Sequence, residues 1–300
     1  LNYSSDASTG WLGVGWNINV PSVSIDTRWG APVFDPDAES EVYVLNGQSL
    51  TMEGGVKANR YPGNRISALN GIHFFTKTMA SYKEVIRHGD GTDNYCWEEI
   101  TADGTHFFYG TEDGNTLSAD AIITDENNDI VTWNLKRVED KWGNYITYNY
   151  THLNNTTQGD IKSGGKAVLL NNIRYTGDAS GEGKYKVEFV TSGNRIDATV
   201  SLKSGRKEVD GRRLETIKIL YYNTATTTQE IRRFEFQYTE GDFFKTLLSS
   251  VEEWRSGKKF YEHNFEYYSE DLTYSSGQTI EVQHFADGIL DGIDNGLTAK

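Results

Sequence analysis

Apolar and polar residues alternate in short runs along most of this chain, and helical spacing is nearly absent. Thr, Tyr, Val, Ile and Phe recur in runs punctuated by Asn-Gly, Asp-Gly and Gly-Asn pairs, a pattern that predicts consecutive β-hairpins. The clearest is "VYVLNGQSL", where Asn46 and Gly47 both tolerate the positive φ of a two-residue type I′ turn. "CWEEITADGTHFFYG" predicts a second hairpin with Asp103 and Gly104 at its turn. In "KWGNYITYNY", Gly143 and Asn144 lead into a strand with Ile146, Tyr148 and Tyr150 on one face.

A looser repeat runs through the second half: Leu-x-x-Ile/Val followed by a strand rich in aromatics. "LNNIRY" (Leu170 to Tyr175) leads to "YKVEF", "LETIKI" (Leu214 to Ile219) to "RRFEFQY", and "LSSVEEW" (Leu248 to Trp254) to "HNFEYY". Phe234 and Phe236 share one face, as do Phe265 and Tyr267, with Glu235 and Glu266 opposite. Isolated hairpins are marginal, so the copies imply one continuous sheet. The polar stretch "HLNNTTQGDIKSGG", His152 to Gly165, is expected to be a loop between the halves or an excursion within one sheet.

Near the N-terminus, "GWLGVGWNINVPSVSIDTRWGAPVF" carries a change of parity. Trp16, Ile18 and Val20 fall on one face, but Val23 and Ile25 occupy odd positions. The register slips at Pro21, where a bulge or bend would let both sets face one interior. Gly13 and Gly15 allow positive φ or a close backbone approach, and Trp11 and Trp16 are read as core.

Composition narrows the function classes. The 300 residues carry a net charge of −14, which disfavours nucleic acid and anionic lipid, and the basic stretch Lys203 to Arg213 is diluted by Glu208 and Asp210. No apolar window is long enough for a membrane-spanning helix. A single cysteine, Cys96, excludes an internal disulfide. With Leu1 at its start and no targeting segment, the chain reads as a piece of something longer. An acidic, Tyr- and Asn-rich composition suits a secreted or surface setting as well as the cytosol.

No catalytic constellation emerges: Gly-x-Ser-x-Gly, His-Glu-x-x-His and Gly-x-x-x-x-Gly-Lys are all missing. The histidines at 73, 88, 106, 152, 263 and 284 do not pair at metal-ligand spacing. Asp125, Asn127 and Asp129 begin like a calcium loop, but Ile130 stands in place of the turn glycine and Lys136 in place of the final Glu. That segment and the terminal "DGILDGIDNG" read as solvated turns. Carboxylates such as Glu98 and Glu99 point to opposite strand faces and read as solvent-side residues rather than a glycosidase pair.

The run "GVGWNINVPSVSIDTRWGAPVFD" followed by "EVYVLNGQSL" resembles the N-terminal fingerprint of the SpvB/TcB family, and "LNYSS" fits it too. The likeness is specific over residues 1 to 50 and looser through "YKEVIRHG", "NYCWEEITADGTHFFYG" and "WNLKRVEDKWGNYITYNY" to a closing "FEYY" strand. Val14, Asp26 and Ala31 depart from the usual pattern, touching packing and surface charge. "KWGNYITYNY" also resembles an RHS/YD-type strand.

The resemblance implies an all-β fold, a large antiparallel sheet of consecutive hairpins in a shell of the RHS/TcB type. One β domain over residues 1–300 is expected, with a fingerprint half (1–151) and a hairpin-repeat half (166–300). The implied role is non-enzymatic, part of a β-sheet shell enclosing a C-terminal toxin before delivery. No catalytic residue, cofactor or metal is carried over, and the Glu39-Ser40-Glu41 triplet reads as the start of a hairpin strand. The structural fingerprint positions are Gly13, Gly15, Trp16, Pro21, Thr27, Gly30, Pro32, Asn46 and Gly47. Implied partners are downstream shell and toxin segments of the same or a partner chain and an A-type channel subunit, with no nucleic acid and no membrane insertion by this segment. The implied location is extracellular or the bacterial surface, after a cytoplasmic stage. Two other readings compete: a surface adhesion or glycan-binding module using exposed Tyr and Trp, with Trp29 as its marker, and a hydrolase with dispersed carboxylates.

Overall fold

Tight turns with positive φ, two residues long at Asn46-Gly47 and three residues long ending at Gly104 and at Gly143, convert the alternating runs into antiparallel pairs. Asn46 and Gly47 have φ of 49° and 83°, Gly104 has 81° and Gly143 has 83°, each between strands that pair directly. The computed structural model describes residues 1–35, 39–52, 71–76, 82–154, 164–193, 195–223 and 228–267. The chain divides into Leu1–Phe265 and Glu266–Lys300, and of the second unit residues 266 and 267 are described. The strands are β1 (Asn2–Tyr3), β2 (Trp16–Asn17), β3 (Ser22–Ile25), β4 (Tyr43–Leu45), β5 (Gln48–Met52), β6 (Ile72–Thr76), β7 (Lys83–His88), β8 (Cys96–Thr101), β9 (His106–Tyr109) and β10 (Ile122–Thr124). They continue as β11 (Ile130–Glu139), β12 (Tyr145–Asn154), β13 (Lys166–Gly177), β14 (Tyr185–Ser192), β15 (Thr199–Ser201), β16 (Glu208–Asp210), β17 (Arg213–Tyr222), β18 (Thr228–Glu240), β19 (Thr246–Arg255) and β20 (Lys258–Asn264).

Strands β3 to β9 pair in succession, and β11 pairs with both β9 and β3, which closes an eight-stranded barrel. A barrel of this size is filled by its own inward side chains. Its lumen holds Trp97 and Trp133, both fully buried with ring centroids 5.9 Å apart, together with Tyr43, Phe74, Tyr109 and Leu135. The Trp133 indole N–H donates to the Tyr95 carbonyl, so the polar edge of the ring is not stranded in the core.

The far end of β11 pairs with β12, from which an open sheet continues through β13, β14, β17, β18, β19 and β20. The predicted repeats are these hairpins: β13 with β14, β17 with β18, and β19 with β20. Their register explains the Leu-x-x-Ile/Val spacing. In a regular strand, residues three apart face opposite sides. Here the pairing skips one residue directly after each leucine, Asn171, Glu215 and Ser249, so that Leu170 with Ile173, Leu214 with Ile217 and Leu248 with Val251 all reach one core. Strand β11 repeats the device at Lys136, between Leu135 and Val138.

Some expectations change. Trp16, Ile18 and Val20 pack into the core of the open sheet, whereas Val23 and Ile25 enter the barrel. The parity change at Pro21 therefore divides the two sets between two interiors instead of uniting them, and Val20 touches both. Residues 152–154 belong to β12, and the central part of the predicted loop lies outside the described residues. The closing strand ends at Asn264, before "FEYY", although Phe265 still packs into the second core.

Candidate functional site: the N-terminal strap and the fingerprint loops

The first twenty residues form a strap across the open sheet. β1 pairs with β2, and Gly10 and Gly13 exchange backbone hydrogen bonds of 2.9 and 3.2 Å. From this tight loop the Val14 N–H donates to the Thr246 carbonyl at 2.9 Å, while the Trp11 carbonyl accepts from the Leu214 N–H at 2.8 Å. The N-terminus is thus fastened to the starts of β17 and β19. Trp11 stacks on Phe189 at 5.8 Å, and half-buried Trp16 meets Tyr3 at 5.1 Å and Phe265 at 4.6 Å. Trp11, Leu12 and Trp16 thereby supply apolar surface to a sheet face that the hairpins leave uncovered.

Gly13 and Gly15 are required by this approach. Their φ values are 87° and 79°, and a Cβ on Gly13 would lie 2.5 Å from the Thr246 carbonyl oxygen, one on Gly15 2.6 Å from the Tyr3 ring. Behind the strap, Pro21 and the Asn46-Gly47 turn meet. The Pro21 carbonyl accepts from the Leu135 N–H at 3.0 Å, and the Asn46 side-chain oxygen accepts from the Ser22 N–H at 3.0 Å. Trp16, Pro21, Asn46 and Gly47 share the wall of a cavity of about 750 Å³ that Asp210 also lines.

Thr27, Gly30 and Pro32 lie elsewhere, in the loop after β3. The Thr27 carbonyl accepts from the Gly30 N–H at 3.2 Å, Gly30 has a φ of 127°, and Gly30 and Pro32 border a second cleft of about 410 Å³. The nine fingerprint positions are therefore not one site. They fall into the strap, the clamp behind it and this outer loop.

Several buried polar groups carry no signal in the sequence. The Arg87 side chain is fully buried in the barrel, paired with Glu39, hydrogen-bonded to the Tyr43 hydroxyl at 3.0 Å and held over the Tyr95 ring at 4.0 Å. Glu39 is thus a buried counter-ion ahead of β4 and not the start of a strand. Glu99 is buried too, accepting from the Tyr109 hydroxyl at 2.7 Å and Lys83 at 3.0 Å, where a solvent-side carboxylate was expected. Its neighbour Glu98 does face outward, between His88 at 3.0 Å and His106 at 2.6 Å. The His88 hydrogen bond, then that of His106, holds the Glu98 carboxyl below its ordinary range against the opposing effect of burial.

Beneath the strap, Arg195 is buried and bonds Asp197 at 3.1 Å and the carbonyls of Asp210 and Arg212 at 2.9 and 3.1 Å. Asp197 in turn accepts from the N–H and hydroxyl of Thr246, both at 2.8 Å, and so positions the carbonyl that the strap binds. Burial alone would raise the Asp197 carboxyl, but Thr246 and Arg195 hold it low. Lys136, the bulge residue of β11, bonds Asp120 and Asn149 at 2.9 Å.

Chemistry elsewhere is that of turns and core. Asp125 accepts from the N–H groups of Asn127 and Asp129 at 2.8 and 3.0 Å, a turn closed by its own backbone. Burial pushes the Cys96 thiol up to about 12, which leaves it a packed, unreactive side chain. Among the described residues no group of His, Cys, Asp and Glu is placed to hold a metal ion. The terminal acidic segment and His284 lie outside the described residues.

A family model described as SpvB, Salmonella virulence plasmid 65kDa B protein, matches residues 1–244. No curated protein sequence matches the chain. Among solved structures, the N-terminal domain of effector protein SpvB from Salmonella typhimurium strain LT2 aligns with a TM-score of 0.67 at 15% identity, over 84% of this chain and 92% of that one. TcdB2-TccC3 aligns with a TM-score of 0.66 at 14% identity, covering 86% of this chain and 15% of that one. The Photorhabdus luminescens Tc holotoxin pore gives 0.65 at 14% identity, over 84% and 14%. At these identities the likeness is one of fold, and this chain spans about a seventh of the two toxin-complex chains.

Proposed function

The chain belongs to the SpvB family, whose model matches it over residues 1–244, and on that premise we propose that it is a non-enzymatic wall segment of a bacterial toxin-complex or RHS-like protein. In this reading the open sheet contributes to a β-sheet shell that encloses a C-terminal toxic polypeptide until delivery. The partners are the downstream shell and toxin segments of the same or a partner chain, and an A-type channel subunit. The toxin-complex and virulence family suggests a secreted protein.

The observation that carries the reading is the asymmetry of the sheet. One side of the molecule is closed into a barrel, whereas among the described residues β20 is paired on one edge with β19 and is exposed along all seven of its residues. Its backbone edge is a template for further strands, and a sheet that is to continue into a shell needs one. The fingerprint residues take structural roles here: Gly13, Gly15 and Trp16 dock the strap, Pro21, Asn46 and Gly47 clamp the passage between the cores, and Thr27, Gly30 and Pro32 shape the outer loop.

Protease protection of the full-length polypeptide tests this. The C-terminal part is expected to resist proteinase K in the folded protein and to become sensitive once the shell is opened by denaturant. A C-terminal part digested at the same rate in both states overturns the wall reading.

A further inference from the structure

The loop between β3 and β4 leaves Trp29 94% exposed beside the 410 Å³ cleft that Gly30 and Pro32 border. An indole in water next to a hollow it does not fill adds nothing to either core, and Val33 beside it is 79% exposed as well. The loop is held at its base. The Asp26 N–H donates to the Val42 carbonyl at 2.7 Å, and the Arg28 guanidinium grips the Asp26 carboxylate at 2.6 and 3.0 Å. That grip lowers the Asp26 carboxyl, so the pair stays ionised and its charges cancel. Nε and Nη2 of Arg28 are taken up by Asp26, and the side chain is otherwise 74% exposed, with Nη1 as a further donor. Ser40, Ser49 and Thr51 are among the residues that line the same cleft.

We propose that this cleft binds a neutral saccharide, with Trp29 as the stacking platform. A pyranose ring offers an apolar C–H face to an indole and hydroxyls to a planar guanidinium and to serine and threonine side chains, which is the mixture found here. An anionic ligand would approach a chain of net charge −14 and a carboxylate already satisfied by Arg28. The site is independent of the wall reading, since neither β20 nor the strap contributes to it.

The test is a glycan array probed with the full-length polypeptide, followed by calorimetric titration with cellotetraose, mannotetraose and chitotetraose. The wild type is expected to bind at least one neutral glycan. Trp29→Ala should weaken binding by about tenfold or more and Trp29→Phe by much less, both with an unchanged melting temperature. No binding to neutral glycans, undiminished binding by Trp29→Ala, or a preference for sulfated or sialylated glycans each overturns the proposal. A blank array combined with a protein partner lost on Trp29→Ala overturns it too, and makes the indole a protein contact.

Discussion

In the barrel, the pairing of β11 with both β3 and β9 gives each of the eight strands two neighbours, whereas the open sheet runs from β12 to a β20 that is exposed along its whole length. The barrel fills its interior mainly from its own strands, with Glu39 and Tyr95 added from the segments that lead into β4 and β8. The open sheet cannot, and takes Trp11, Leu12 and Trp16 from the distant N-terminus as a cover. Closure makes a sheet self-sufficient; openness makes it depend on a strap and leaves an edge for something else. The strand that belongs to both, β11, marks the change with a bulge whose Lys136 reaches Asp120 and Asn149.

The sharpest way to break this comparison is Trp133→Ala. Removing a fully buried indole is expected to cost about 3–5 kcal/mol, read as a shift of the urea midpoint. Because β11 is shared, amide protection should fall in β12 and β13 as well as in the barrel. Open-sheet protection that stays at the wild-type level would show two independent bodies. Next comes Gly13→Val, where the positive φ alone costs about 1–2 kcal/mol and the clash with the Thr246 carbonyl adds to it. Its effect should be local: faster exchange at the Leu214 and Val14 N–H groups with the Leu135 N–H in the barrel unchanged.

Gly47→Val isolates the backbone cost, because nothing lies within 4 Å of the added Cβ. A loss of about 1–2 kcal/mol is expected, confined to the barrel, and no loss at all would mean the turn can change type. The smallest effect concerns Glu98, whose carboxyl is held below its ordinary value of 4.5 in the folded state. Its contribution is present above about pH 4.5 and disappears as the pH falls through the lower folded value. Glu98→Gln should therefore flatten the acid limb of a stability profile, and parallel wild-type and mutant limbs would discount the His88 and His106 contacts.

Turns were the most legible part of the sequence, because Asn46-Gly47, Gly104 and Gly143 encode their backbone locally, although the last two end three-residue loops and not two-residue turns. The Leu-x-x-Ile/Val repeat was visible as a pattern, but its meaning depends on a skipped residue in the pairing, which no single strand reveals. Barrel closure was hidden for the same reason, since Val23 and Trp133 pair across more than a hundred residues. The parity change at Pro21 marked a real boundary, yet a sequence read one residue at a time cannot say that its two sides enter different cores. Buried Glu39 and Glu99 look like any surface glutamate until Arg87, Lys83 and Tyr109 are brought to them. Trp29 is exposed beside a cleft, a placement that residue type alone does not give.

The strap also sets an order of events during synthesis. Trp11 and Val14 leave the ribosome ahead of both sheets, but the backbone groups that hold them belong to Leu214 and Thr246, at least two hundred residues later. At about 5–20 residues per second that is a wait of roughly ten to fifty seconds. By then the chain through β11 has been delivered, so the barrel can close early while the strap's tryptophans remain in water. The strap is made before the sheet it covers and docks after it, and a nascent chain stalled before Thr246 displays the apolar face that the finished molecule hides.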